Sequence, residues 1–153
     1  MVASARAEPI VGNKNAIAVN QAWAGHAGSI LSQSSETFIA GTKQGAGDGN
    51  GGNESFPLWQ VYAKPLVEGG GKVALLLLNI SPESSDITVD FSSVPTLLHT
   101  ASEVEIPQVV SLSDVWTGKA VAHTGDSFTA KQVPAHGSIF LIAESSMVDA
   151  MIG

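Results

Sequence analysis

The chain of 153 residues is 44% hydrophobic and 14% charged, with 16 Gly, 7 Pro and no Cys; this suits one folded domain and excludes a disordered chain, a disulfide scaffold and a thiolate metal site. Its net charge of -7, with basic residues scattered from Arg6 to Lys131, speaks against a nucleic-acid partner and suits a neutral ligand such as a sugar, or no ligand at all. The longest apolar run, residues 73–80, is far shorter than the roughly 18 residues of a membrane helix, so no membrane partner is expected.

Residues 1–8 hold one Arg and no apolar stretch, and do not read as a signal peptide. Asn13 is positioned to N-cap a short helix starting at Lys14, although the alternation of Ile17 and Val19 also suits a strand. The stretch before about residue 25 differs in character from the rest of the chain and is expected to lie outside the main fold.

From Ser29 onward, short apolar runs alternate with Gly, Pro, Asn and Ser clusters, the pattern of an all-β chain. Residues 29–34 and 36–42 are expected to form a first antiparallel pair around Ser34-Ser35. Residues 45–53 are a loop of Gly, Asp and Asn. In 58–66, Trp59, Val61 and Ala63 share one face and Gln60, Tyr62 and Lys64 the other. Pro65 ends this strand or puts it at an edge. After a turn at 68–72 comes 73–80, where Leu75, Leu76, Leu77 and Leu78 leave no polar face, so both sides must be covered. Ile87, Val89 and Phe91 point inward from the next strand. A short strand is expected at 104–106. Val110, Leu112 and Trp116 form the apolar face of 109–117. Phe128 and Ala130 face inward, 134–137 turns the chain, 138–143 is the last strand, and the remainder is a tail. Eight or nine strands at this spacing predict an antiparallel Greek-key β-sandwich.

Candidate chemistry is sparse. The Gly-rich 45–52 run is followed by no helix, and Gly71-Lys72 by Val73, so neither builds a phosphate loop. Asp48, Asn50, Asn53 and Glu54 offer oxygens to a calcium ion, but Gly52 occupies a ligand position of the known loop pattern, and a surface loop is the favoured reading. Glu103 with Glu105, and Asp86 with Asp90, share strand faces, which marks a solvated side better than a glycosidase pair. His26, His99, His123 and His136 are dispersed without metal-ligand spacing; His136 is expected to orient its turn by hydrogen bonding. Asn53-Glu54-Ser55 and Asn79-Ile80-Ser81 match the N-glycosylation pattern, the second weakened by Pro82. Of the aromatics, Trp59 and Trp116 are expected in the core, while Tyr62 and Trp23 are the candidate sugar contacts. No catalytic residue, cofactor site or metal site emerges.

Several stretches carry a resemblance. Asn13-Lys14-Asn15-Ala16-Ile17-Ala18-Val19-Asn20-Gln21 resembles the segment closing the barrel domain of family 27 α-galactosidases. Residues 59–66, running Trp-Gln-Val-Tyr-Ala-Lys-Pro-Leu, and then 73–79 are similar to paired strands of that family's C-terminal domain. Asp114-Val115-Trp116-Thr117-Gly118 and Val133-Pro134-Ala135-His136-Gly137 are similar to its later strand and turn motifs, in the same order over about residues 9–143. Asn15 and Ala22 depart from the Glu and Asp that many members carry, which leaves galactose, N-acetylgalactosamine and arabinopyranose open as the parent's sugar.

The resemblance implies a retaining glycoside hydrolase with a (β/α)8 barrel before the sandwich. Its two catalytic Asp lie on barrel strands upstream of the matched region, and no residue here corresponds to them. Residues 1–25 are then a remnant of the last barrel helix and its linker, 26–145 the C-terminal sandwich, and 146–153 a tail. The expected role is a non-catalytic accessory domain, with a stand-alone carbohydrate-binding or structural interaction sandwich as the alternative. The implied partners are the barrel and, through the parent enzyme, α-galactosides. The implied location of the parent is secreted, lysosomal or vacuolar.

Overall fold

A computed structural model describes residues 12–25, 27–41, 53–68, 70–94 and 108–147. One helix, α1 (Lys14–Gln21), precedes ten strands: β1 (Ser29–Gln33), β2 (Thr37–Gly41), β3 (Asn53–Pro57), β4 (Trp59–Pro65), β5 (Lys72–Asn79), β6 (Ser85–Asp90), β7 (Gln108–Asp114), β8 (Ala120–Val121), β9 (Ser127–Val133) and β10 (Ser138–Met147). A 3-10 turn, Phe91–Ser93, follows β6. The short strand expected at 104–106 and the Gly-rich run at 45–52 lie outside the described residues.

Six strands form one antiparallel sheet in the order β1-β4-β5-β10-β7-β8. The β6-β9 pair forms the opposing layer, and the chain passes between layers before β6, β7, β9 and β10. The last crossing slots β10 between β5 and β7, as in a Greek key. The core lies between the layers. Val61, Ala63, Val73, Leu75, Leu77, Leu112, Leu141 and Ala143 of the large sheet meet Ile87, Val89, Phe91, Ala130 and Val133, all buried. The alternation read from the sequence is therefore met: side chains two apart along a strand share a face.

Four local expectations are corrected. Residues 29–33 and 37–41 are strands, but they do not pair with each other; β1 pairs with β4, and β2 with β3. The chain kinks at Ser34, whose hydroxyl donates to the Glu36 carbonyl (2.6 Å) and accepts from Leu58 N (2.7 Å). One long hairpin is thereby bent into a sheet-bound half and a separate ribbon, and residues 53–57 are the ribbon's second strand. Trp116 is not a core residue. The strand stops at Asp114, whose carboxylate accepts from Thr117 N (2.7 Å) and Oγ1 (2.8 Å), so Val115 is buried and Trp116 is 44% exposed. His136 makes no side-chain hydrogen bond among the described residues; its turn is closed by Gly137 N to the Pro134 carbonyl (2.8 Å). Finally, β10 runs to Met147, past the expected end at residue 143, because β7 continues to pair with it.

α1 packs on the sheet face opposite the core, through Val19 and Ala16 against Ala74, Val115, Phe140, Ile142 and Leu66.

Candidate functional site: the helix-bearing face of the sheet

α1 has little to hold it in isolation: eight residues are too few for a stable helix in water. Its ends are tied to the sheet instead. Asn13 caps the N-terminus, its Oδ1 accepting from Ala16 N (3.0 Å), while its Nδ2 donates to the Trp116 carbonyl (2.8 Å). Asn15 Nδ2 donates to the Val115 carbonyl (3.0 Å). At the other end, Lys64 of β4 donates to the carbonyls of Val19 (2.7 Å) and Asn20 (3.2 Å), where the helix dipole favours a cation. The helix thus runs across the strands, from the turn after β7 to β4.

The strand register arranges this face in rows. Lys64, Ala74 and Ile142 form the row under the C-terminal part of α1, and Ala74 is buried. Two residues along lie Ile30, Tyr62, Leu76 and Phe140. Beyond them lie Gln33, Gln60, Leu78 and Ser138. Leu76, Leu78 and Tyr62 are only half-buried, and Ile30 is 49% exposed. The continuous apolar run of β5 is therefore covered fully on the core side and partly on the outer side, with α1 supplying the outer cover at Ala74. Trp116 leans edge-on against Phe140, with ring centroids 5.9 Å apart, and extends the apolar surface beside α1.

Tyr62 and Trp23 make no ring contact with each other among the described residues. Tyr62 donates its hydroxyl to Gln60 Oε1 (2.9 Å), and Gln60 Nε2 donates to Gln33 Oε1 (3.1 Å). Trp23 follows the C-cap of α1 and is 65% exposed. The ring pairs among the described residues are Phe38 with Phe56, Phe91 with His123, and Trp116 with Phe140.

The titratable candidates serve local structure. Asp86 accepts from Lys131 Nζ (2.9 Å) and Gln132 N (2.8 Å), and these bonds hold its carboxyl below the usual carboxylate range. Asp90 caps the 3-10 turn through Ser92 Oγ (2.7 Å) and Ser92 N (2.9 Å), which lowers its carboxyl likewise. Each acid is engaged in its own network on the solvated face of β6. His123 Nε2 donates to the Val110 carbonyl (2.6 Å), since a carbonyl can only accept, and its ring stands edge-on to Phe91. Its Nδ1 is buried without a partner. Glu54 is exposed on β3; His26, His99, Glu103, Glu105, Asp48 and Asn50 lie outside the described residues. No group of three His, Asp or Glu able to hold a metal ion occurs among the described residues. No helix among them is long and apolar enough to cross a membrane.

Asn79, the acceptor of the second glycosylation triplet, is 0% exposed. Its Nδ2 donates to the carbonyls of Glu83 (2.7 Å), Val133 (2.9 Å) and Pro134 (2.9 Å), and its Oδ1 accepts from Ser81 N and Oγ. It ties β5 to the β9-β10 turn and has no free face for a glycan.

Sequence reasoning missed Lys64 as the clamp on α1. No local signal marks it, because its acceptors are 44 and 45 residues away. The exposure of Trp116 did have a signal: Asp114, Thr117 and Gly118 are turn formers.

Residues 57–143 match the family described as the alpha galactosidase C-terminal beta sandwich domain, more than half of the chain. Among solved structures, α-galactosidase I from Mortierella vinacea is similar, with TM-score 0.61 and 18% identity over 92% of this chain and 28% of that one. A family 27 β-L-arabinopyranosidase from Geobacillus stearothermophilus is similar with TM-score 0.60 and 14% identity, over 92% of this chain and 24% of that one. The α-galactosidase of Saccharomyces cerevisiae, solved with raffinose, has TM-score 0.55 and 15% identity, over 90% of this chain and 37% of that one. This chain therefore spans between about a quarter and two-fifths of the length of these proteins. No curated protein matches it.

Proposed function

Because the chain belongs to the family of α-galactosidase C-terminal β-sandwich domains, we propose that it is the accessory domain of an α-galactosidase-like glycoside hydrolase, non-catalytic by itself. Residues 1–25 are then the end of the catalytic barrel, with α1 as its last helix. The observation that carries this reading is the seating of α1: a helix too short to stand alone is clamped at both ends onto an otherwise open sheet face. A preceding domain anchored through such a helix gains a fixed orientation on the sandwich.

The parent reaction is hydrolysis of terminal α-galactosides with retention: one barrel carboxylate forms the covalent glycosyl-enzyme, and a second protonates the leaving group and then activates the water that releases the sugar. Two of the described carboxylates are in keeping with a non-catalytic role: Asp86 is committed to Lys131 and Gln132, and Asp90 to Ser92. The test has two parts. The pure 153-residue chain is assayed on an aryl α-galactoside, and the native gene product is sized by intact mass. No turnover, together with a product larger by a barrel of about 250 residues, supports the proposal. Turnover by the chain alone, or a native product of this length alone, overturns it.

A further inference from the structure

The β2-β3 ribbon is a sheet of its own: among the described residues its two strands pair only with each other. A two-stranded ribbon is marginal by itself in water and gains stability from further strands. This one nevertheless carries apolar side chains. Phe38 and Phe56 face each other across it, half-buried, with ring centroids 6.0 Å apart, and Ile39 on the opposite face is 67% exposed.

The strand edges of the molecule are not equally guarded. Native edges are blunted by bulges, short length, charge or proline. β1 has a bulge between Ile30 and Ser32, and β8 is two residues long. β6 has a bulge and two acids, β9 has Lys131, and β3 has Glu54 and Pro57. β2, running Thr-Phe-Ile-Ala-Gly in unbroken register, carries no bulge, charge or proline. Its backbone is also turned for pairing. Leu58 N donates to the Glu36 carbonyl (3.2 Å), and bonded pairs alternate along an antiparallel ladder, so Phe38 and Ala40 make the bonds to β3. Thr37, Ile39 and Gly41 then direct their N–H and C=O groups away from β3.

We infer that β2 pairs antiparallel with β2 of a second copy, about a two-fold axis at Ile39, joining two ribbons into one four-stranded sheet. Register selects this occupant. With Ile39 opposite the copy's Ile39, Thr37 lies opposite the copy's Gly41. All three outward residues of each strand then find partners, with about six main-chain hydrogen bonds. The two-fold keeps like faces together. Phe38 meets the copy's Ala40, whose small side chain leaves room for the ring, and the two Phe38 residues are diagonal neighbours about 7–8 Å apart. On the other face the two Ile39 side chains meet. Charge is compatible as well. Glu54 sits on the outer strands, so its two copies are three strand spacings apart, about 14 Å or more, beyond a Debye length of about 8 Å.

The experiment follows the mass of the 153-residue chain by sedimentation equilibrium. The mass is expected to rise from 15.7 kDa toward twice that value as the concentration approaches about 0.1 mM. Ile39→Lys sets two ammonium groups on directly opposed residues and is expected to weaken dimerisation at least tenfold. It makes the chain less negative, so a loss cannot come from general repulsion between copies. Val67→Lys, an exposed position past β4 with the same charge change, is expected to leave dimerisation unchanged. The chain has no Cys, so Ile39→Cys is expected to form an intermolecular disulfide under mild oxidation, its Cα atoms about 5.5 Å apart and within disulfide reach. Val67→Cys is expected to stay a thiol. Thermal melts confirm that each variant folds; should Ile39→Lys fail to, the cysteine pair decides. A mass that stays at 15.7 kDa overturns the inference and leaves the β2 edge to a strand of another protein. A dimer that survives Ile39→Lys, as one joined through the helix-bearing face would, overturns it too, and so does equal cross-linking of the two cysteine variants.

Discussion

Lys64 reaches from β4 to the C-terminal carbonyls of α1, its ammonium 2.7 Å from the Val19 oxygen and 3.2 Å from the Asn20 oxygen. A charged donor at the negative end of a helix dipole is worth more than a neutral hydrogen bond. Replacing it with Met keeps the apolar stem and removes the clamp. Lys64→Met is expected to lower stability by about 1 kcal/mol and to raise amide exchange in α1 while leaving β5 and β10 protected. Equal acceleration across the sheet would show that α1 is not separately held.

The buried Asn79 predicts three outcomes. Its amide is shared among the Glu83, Val133 and Pro134 carbonyls. Asn79→Ala orphans these acceptors and is expected to cost about 3 kcal/mol in denaturant unfolding. Asn79→Asp places a carboxylate against three carbonyl oxygens, so it is expected to cost more. In a glycosylating host, peptide mapping is expected to find Asn79 unmodified in the folded protein.

Adjacent leucines on β5 separate the two faces of the sheet. Leu75 is buried in the core, whereas Leu76 lies on the helix-bearing face and is half-buried. Leu75→Ala is expected to cost about 3 kcal/mol, and Leu76→Ala about 1 kcal/mol, by urea unfolding of the isolated chain. Equal costs would mean that the outer face is as closely packed as the core.

The turn between β9 and β10 holds a mismatched pair of positions. His136 adopts a positive φ of 56°, a conformation that favours glycine. Gly137 has no such φ, but a Cβ there would lie 2.9 Å from the Pro134 carbonyl oxygen. His136→Gly is expected to raise stability by up to about 1 kcal/mol, and Gly137→Ala to lower it. The two melting curves should move in opposite directions.

Asp86 and Asp90 set an acid limb on stability. Hydrogen bonds from Lys131 and Gln132 to Asp86, and from Ser92 to Asp90, depress both carboxyls in the folded state. A depressed acid contributes stability above its unfolded pKa, near 3.8, and that contribution is lost as pH falls through the lower, folded value. Asp86→Asn and Asp90→Asn should therefore be less stable than the wild type at neutral pH. The gap should close as pH drops below about 4. A gap that is constant with pH would show that neither carboxylate's charge matters.

The alternation of apolar and polar residues alone identified most strands and their inward faces, including Ile87, Val89 and Phe91, because side-chain direction in a strand is a local property of the backbone. Asn13 was legible as a helix cap for the same reason: the cap and its target are three residues apart. Pairing was not legible. Which strand β1 meets depends on where a distant segment closes the chain, so the hairpin expected with β2 gave way to β4. The candidate face lay further out of reach, since it is assembled by Lys64, Val115 and Asn15 across 45 to 100 residues. Even the run of four leucines states only that both sides of β5 need cover. That the core covers one side and α1 part of the other is decided by the layering of the tertiary fold, which places a helix opposite the sandwich core.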